Sequence, residues 1–128
     1  MDIEKIKSEL QMKDFHFVEC SVKRKQNIAN EELNIQVERK INKISDTEHI
    51  VTAILNIDKE QKDLEVKVVA EATFIMESDN EELVSDIIKV NTLAIMFPFI
   101  RSQVSLLTTQ PGMTPVVLPP INTTKFID

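Results

Sequence analysis

Glycine is almost missing from this chain of 128 residues; Gly112 is the single one. That argues against phosphate-cradling loops and glycine-hinged active sites. Cysteine is equally scarce. A lone Cys20 rules out an internal disulfide framework and fits a reducing cytoplasm, where the chain is expected. Tryptophan and tyrosine are absent, so all six aromatic residues are phenylalanine. The two histidines, His16 and His49, do not sit in a metal-ligand spacing. Long hydrophobic runs are lacking too. The longest, residues 93–100, spans eight residues and holds a proline. A bilayer span needs ~20, so no membrane insertion is expected. The amino-terminal stretch mixes charges and carries no apolar signal core. The formal charge of −6 disfavours nucleic acid, whose phosphates need a positive surface. Lys23-Arg24-Lys25 reads as a solvated strand end.

Catalytic signals are equally thin. Cys20 has no basic neighbour nearer than Lys23, so nothing activates its thiol. The acidic run at residues 77–82 reads as a helix start, without the apolar pocket that paired catalytic carboxylates require. No metal and no cofactor are expected. An enzyme using His16 or His49 is the weakest of three readings.

What is present is pattern. One domain covering residues 1–128 is the natural count, with a radius of gyration of roughly 14 Å. Ile3, Ile6 and Leu10 suggest a short lead-in helix. Phe15, Phe17, Val18, Cys20 and Val22 read as a strand whose apolar parity switches near Val18, the mark of a bulge. Leu33, Ile35, Val37 and Ile41 alternate with polar residues, giving a half-buried strand. Ser45-Asp46-Thr47 supplies a turn. Residues 50–57 are apolar on both parities apart from Thr52 and Asn56, as in a central strand. A charged loop at residues 58–63 leads to a strand with Leu64, Val66, Val68, Ala70, Ala72, Phe74 and Met76 at every second place. At ~3.3 Å per residue that strand is about 43 Å long. Short connections predict an antiparallel meander.

Ser78 and Glu81 form a capping box, and Leu83, Val84, Ile87, Ile88, Asn91, Ala94 and Ile95 follow at helical spacing. Pro98 predicts a kink or a break. The fold class is therefore α+β: a four-stranded antiparallel meander packed against one long carboxy-terminal helix, followed by a proline-rich arm.

The helix holds more apolar surface than one sheet can cover. Val90, Leu93, Ile95, Met96, Phe97, Phe99 and Ile100 point nearly all round its axis. Leaving such side chains in water costs roughly 1.5–3 kcal/mol each. Helices of two or more copies would cover the surplus, with Ile87, Ile88, Asn91, Leu93, Ala94 and Ile95 as the interface. The alternative is that the proline arm folds back over it within one chain. Phenylalanine and methionine together suit a sequence-tolerant groove for unfolded segments. Its candidates are Phe15, Phe17, Phe74, Met76, Phe97, Phe99, Met113, Val117, Leu118 and Ile121. Ordinary core packing is the competing reading, and for Phe15 and Phe74 the two stand level.

Ile95-Met-Phe-Pro-Phe-Ile-Arg101 followed by Pro111-Gly-Met-Thr-Pro-Val-Val-Leu-Pro-Pro-Ile-Asn122 resembles the SecB export-chaperone family. That family pairs an aromatic-flanked Phe-Pro, with Arg three places on, with a Leu-x-Pro arm ending in Pro-x-Asn. The resemblance spans roughly residues 10–123. It implies a tetramer built as a dimer of dimers, with helices between sheets. It implies ATP-independent holding of unfolded or precursor polypeptides for export, and hand-over to the SecA translocase motor. An acidic outer sheet face is the family's docking surface. Asp14 matches one acidic position and Glu19 lies near another. Lys67 takes the acidic place of the fourth strand, flanked by Glu65 and Glu71. The family's second helix is expected to be missing or reduced to residues 123–127. Both departures leave holding activity in place and weaken the case for SecA. A chaperone or adaptor dedicated to one partner, such as an antitoxin, is the alternative.

Overall fold

A computed structural model describes residues 10–25, 33–59 and 63–120. The expected lead-in helix falls largely outside them, as do Ile121, Phe126 and the expected remnant at residues 123–127. Strands β1 (Gln11–Arg24), β2 (Asn34–Lys43), β3 (Glu48–Asp58) and β4 (Leu64–Ile75) precede one helix, α1 (Glu81–Leu107).

The strands form one antiparallel sheet in the order β1-β4-β3-β2. The expected meander holds for β2 to β4 only. β1 lies beside β4, so β4 and β3 stand between the consecutive strands β1 and β2, as in a Greek key. Local patterning fixes which side of a strand is buried, not which neighbour it takes. β3 and β4 are the central strands, and their composition says why. On β3, Val51, Ala53, Leu55 and Ile57 are buried, while Ile50 and Ile54 half-bury the opposite face. On β4, Leu64, Val66, Val68, Ala70, Ala72 and Phe74 are at most 2% exposed.

The parity switch in β1 has its bulge. The register against β4 shifts between Phe17 and Glu19, and again between Met12 and Asp14. The extra residue lets Phe15 and Phe17 share the helix side with Cys20 and Val22, while Val18 turns outward. The turn between β2 and β3 is held by Ser45, whose Oγ accepts from the N–H groups of Thr47 and Glu48 at 3.3 and 3.1 Å.

The cap of α1 departs from the expected box. Asn80 is the N-cap, its Oδ1 accepting from Leu83 N at 3.0 Å. Ser78 Oγ accepts from Asn80 N instead, at 3.2 Å, and so fixes the approach to the helix. Pro98 does not break α1, which runs on to Leu107. Both Pro98 and Ala94, four residues earlier, are exposed. The carbonyl that Pro98 leaves without a donor can therefore turn to water.

By length and composition α1 would suffice to cross a membrane. Counting uninterrupted apolar residues missed this, because Asn91, Thr92 and Pro98 divide the run without adding charge. In the fold α1 lies over β4, β3 and β1. It buries Val84, Ile87, Ile88, Leu93, Met96, Phe97, Ile100 and Val104 there. Arg39, a polar residue on the inner side of β2, donates through Nη1 to the carbonyl of Lys89 and ties β2 to the helix.

Candidate functional site

Three rings gather where β1 meets α1. Phe15 and Phe17 stand edge to face, centroids 5.2 Å apart. Phe15 also meets Phe99 at 5.1 Å with a tilt of 41°. Both distances lie within the favourable range for aromatic pairs. The β1 rings are half-buried, and Phe99 is 49% exposed. From Phe99 the apolar surface runs along the helix. Ile95, Phe99, Ser102 and Leu106 recur at helical spacing, with no charge among them, and Leu106 is 67% exposed. Leu106 and Val117 then share a recess of about 580 Å³ with Pro98, Ser102 and Leu118.

The arm returns along the last turns of α1. Arg101 Nε donates to Leu118 O at 3.2 Å, and Ser105 Oγ donates to Val116 O at 3.2 Å. Thr108 is the hub. Its Oγ1 donates to Val104 O at 2.8 Å and accepts from Val116 N at 2.7 Å. This pairing sends Val116 and Leu118 inward, at 8% and 1% exposed, and leaves Val117 at 75%. The turn before the arm needs Gly112, at φ 72°. Arg24 clasps that turn, donating from Nη1 to Gly112 O at 2.9 Å and from Nη2 to Pro111 O at 2.8 Å. So Arg24, which the sequence places in a solvated basic cluster, has a structural task.

The candidate groove residues therefore separate. Phe15, Phe17, Phe99 and Val117 border open surface, and half-buried Met113 lines a second recess of about 560 Å³ with Cys20, Leu107 and Pro111. Phe74, Met76, Phe97 and Leu118 are placed inside the chain's own core, at 0, 0, 5 and 1% exposed. The candidate interface separates likewise. Ile87, Ile88 and Leu93 pack inward, at most 4% exposed. Asn91, Ala94 and Ile95 stay at least partly open, with Asn91 Nδ2 donating to Ile87 O at 3.2 Å. The inward side of a helix that is apolar all round is set by where the sheet lies, which spacing alone does not tell. The arm partly covers the surplus surface, but Phe99, Leu106 and Val117 remain outside. Leu106 was missed by the sequence reading; its place seven residues after Phe99 is the signal that could have found it.

On the opposite face of the sheet the acidic candidates have basic neighbours. His16 stands between Asp14 (Nδ1 to Oδ2, 3.6 Å) and Glu71 (Nε2 to Oε1, 3.8 Å). Lys67 Nζ lies 3.8 Å from Glu19 Oε1. Glu65 faces Lys23 in the register of β1 and β4. The face is thus mixed in charge. His49 lies on the inner side, opposite Phe74, so the fold does not bring the two histidines together. Burial, and then the charge of Lys43, hold its imidazole below the ordinary value of 6.5. Cys20 accepts a weak hydrogen bond from Gln103 Nε2 at 3.6 Å. Among the described residues no acidic, histidine or cysteine cluster is arranged to hold a metal.

Sheet, overlying helix and returning arm define a two-layer α+β domain whose candidate site is an apolar surface with an aromatic end. The chain belongs to the SecB family: the family described as preprotein translocase subunit SecB matches residues 6–126. Membership supports a chaperone role. No curated protein gives a significant match. Among solved structures, one similar fold is a SecB-like chaperone of Mycobacterium tuberculosis, Rv1957, in complex with a ChAD peptide from the HigA1 antitoxin. It superposes with a TM-score of 0.68 at 15% identity, over 91% of this chain and 90% of that one. Another is a protein of unknown function from Streptococcus agalactiae, with a TM-score of 0.51 at 12% identity, over 87% of this chain and 97% of that one.

Proposed function

We propose that this chain is an ATP-independent chaperone, a single domain working in the cytoplasm, that holds non-native polypeptides and keeps them unfolded for export. The observation that carries the reading is the run of at least partly exposed apolar side chains from Phe15, Phe17 and Phe99 to Leu106 and Val117, with Arg101 the one charged residue among the described residues lining the recess at its far end. Rings and aliphatic side chains bind by dispersion and burial and make no demand on client sequence. Family membership supports the reading. So does the peptide held by the mycobacterial chaperone of similar fold. The same stripe is suited to a second copy, with Asn91, Ala94 and Ile95 at its near end, and a dimer of dimers is the assembly we infer. The protein should suppress aggregation of an unfolded client at stoichiometric amounts without nucleotide. A monomer that leaves aggregation unchanged would overturn the proposal.

One observation favours a second reading, a chaperone dedicated to one partner without translocase docking. Lys67 and His16 sit among Glu19, Asp14 and Glu71, where docking to SecA would call for bare acidic charge. Binding measured against purified SecA separates the two readings. Tight, salt-sensitive binding supports general export, whereas no binding together with selective capture of one client supports the dedicated form.

A further inference from the structure

A cavity of about 340 Å³ opens between the first turns of α1 and the β2–β3 turn, away from the aromatic surface. Ile41, Val84 and Ile88 give it apolar walls, and His49 closes one side. His49 is 5% exposed, and its Nδ1 has no hydrogen-bond partner among the described residues. A buried polar atom left so is costly, and native folds rarely tolerate one without a use. The charges at the mouth cancel: Lys43 and Lys89 against Asp46 and Glu81, with Lys43 and Asp46 paired at 3.3 Å. A neutral cavity does not select an ion. It suits an uncharged group with a flat apolar body and one polar atom. A phenol ring fits all three requirements. Its hydroxyl both donates and accepts, so it can pair with either tautomer of a neutral imidazole. The torsion of a histidine ring about Cβ–Cγ is broad, so a small turn presents a nitrogen to the cavity. A cavity of about 150 Å³ already holds benzene in other proteins, so the volume here is ample for the ring.

We propose that this cavity is a second client subsite, which takes a tyrosine side chain from the bound polypeptide and hydrogen-bonds its hydroxyl through His49. The inference rests on the client-holding reading above, and its test separates the two. The methyl groups of Ile41, Val84 and Ile88 are followed by NMR while p-cresol or toluene is added. p-Cresol should shift these methyls and bind about five- to tenfold more tightly than toluene, the factor of one hydrogen bond. His49→Leu should abolish that preference. Ser85→Phe, at an exposed position on the cavity wall, should block both probes without touching the core. Two unfolded peptides alike except for one Tyr or Phe should differ in affinity for the wild type and not for His49→Leu. Equal binding of p-cresol and toluene, or shifts that survive Ser85→Phe, overturns the subsite. Discrimination between the probes without discrimination between the peptides assigns the cavity to a free phenol and overturns the polypeptide part. Peptide retention that persists while the cavity stays silent leaves the chaperone reading standing and removes this one.

Discussion

Replacing Phe99 and Leu106 together by serine tests the open stripe directly. Phe99 is 49% exposed and Leu106 is 67% exposed, so each has roughly half to two thirds of its side chain still to bury. Full burial of such a residue is worth about 1.5–3 kcal/mol. The unburied portions then amount to about 1 kcal/mol for Phe99 and about 1.5 kcal/mol for Leu106, scaled from that range. Together that is about 2.5 kcal/mol, or roughly a 50- to 100-fold loss of affinity for whatever covers them. The buried portions set a smaller cost to the fold, about 2 kcal/mol for the pair, also scaled from burial. Light scattering on a sizing column reads the mass of the assembly, anisotropy of a labelled unfolded client reads retention, and urea titration reads stability. A fall in mass with client binding kept assigns the stripe to a sister subunit; the reverse assigns it to the client. A folded double variant unchanged in both measurements refutes the argument that this surface needs a cover.

The remaining predictions concern the arm and the buried histidine. Leu118→Ala empties a fully buried site and should cost about 2–5 kcal/mol in urea titration, whereas Val117→Ser, at 75% exposed, should change stability by less than about 0.5 kcal/mol. Arg24→Gln removes both donors that clasp Pro111 and Gly112 at an exposed site, so about 1–2 kcal/mol should go from the docking of the arm. Amide exchange at Val116 would register it, and unchanged protection there would show that the clasp is idle. Burial and Lys43 keep the pKa of His49 below 6.5, so the unfolded chain takes up this proton first as pH falls. The contribution of His49 is then fully present above pH 6.5 and is lost as pH drops below it, by at most about 1.4 kcal/mol per pH unit. Unfolding titrations from pH 8 to 5 should show that decline in the wild type and not in His49→Gln; a wild type that gains stability on acidification contradicts the stated burial.

Strand content, the central place of residues 50–57, the bulge at Val18 and the single long helix were legible because each rests on local periodicity. The sheet order was not. A β1 that pairs with β2 and one that pairs with β4 share the same alternation, and the choice depends on a link of nine residues, 25–33, that carries no pattern. The same limit explains the site. Spacing around α1 shows apolar residues on every side, and only the position of the sheet decides that Leu93 and Phe97 are sealed while Phe99 and Leu106 stay open. The expected box put the cap at Ser78, and hydrogen-bond geometry moves it to Asn80. Arg39 is the sharper lesson. It occupies a beat of the β2 alternation where the pattern calls for an aliphatic residue, opposite Ala53, and the departure marks the tie to the carbonyl of Lys89. A polar residue on the inward parity of a strand can thus find its partner in a helix backbone within reach. His49 sits on the inward parity of β3, opposite Phe74, and has no such partner for Nδ1 among the described residues. The two positions pose one question in the sequence. The structure answers it for Arg39 from within the chain; for His49 the proposed answer has to come from outside.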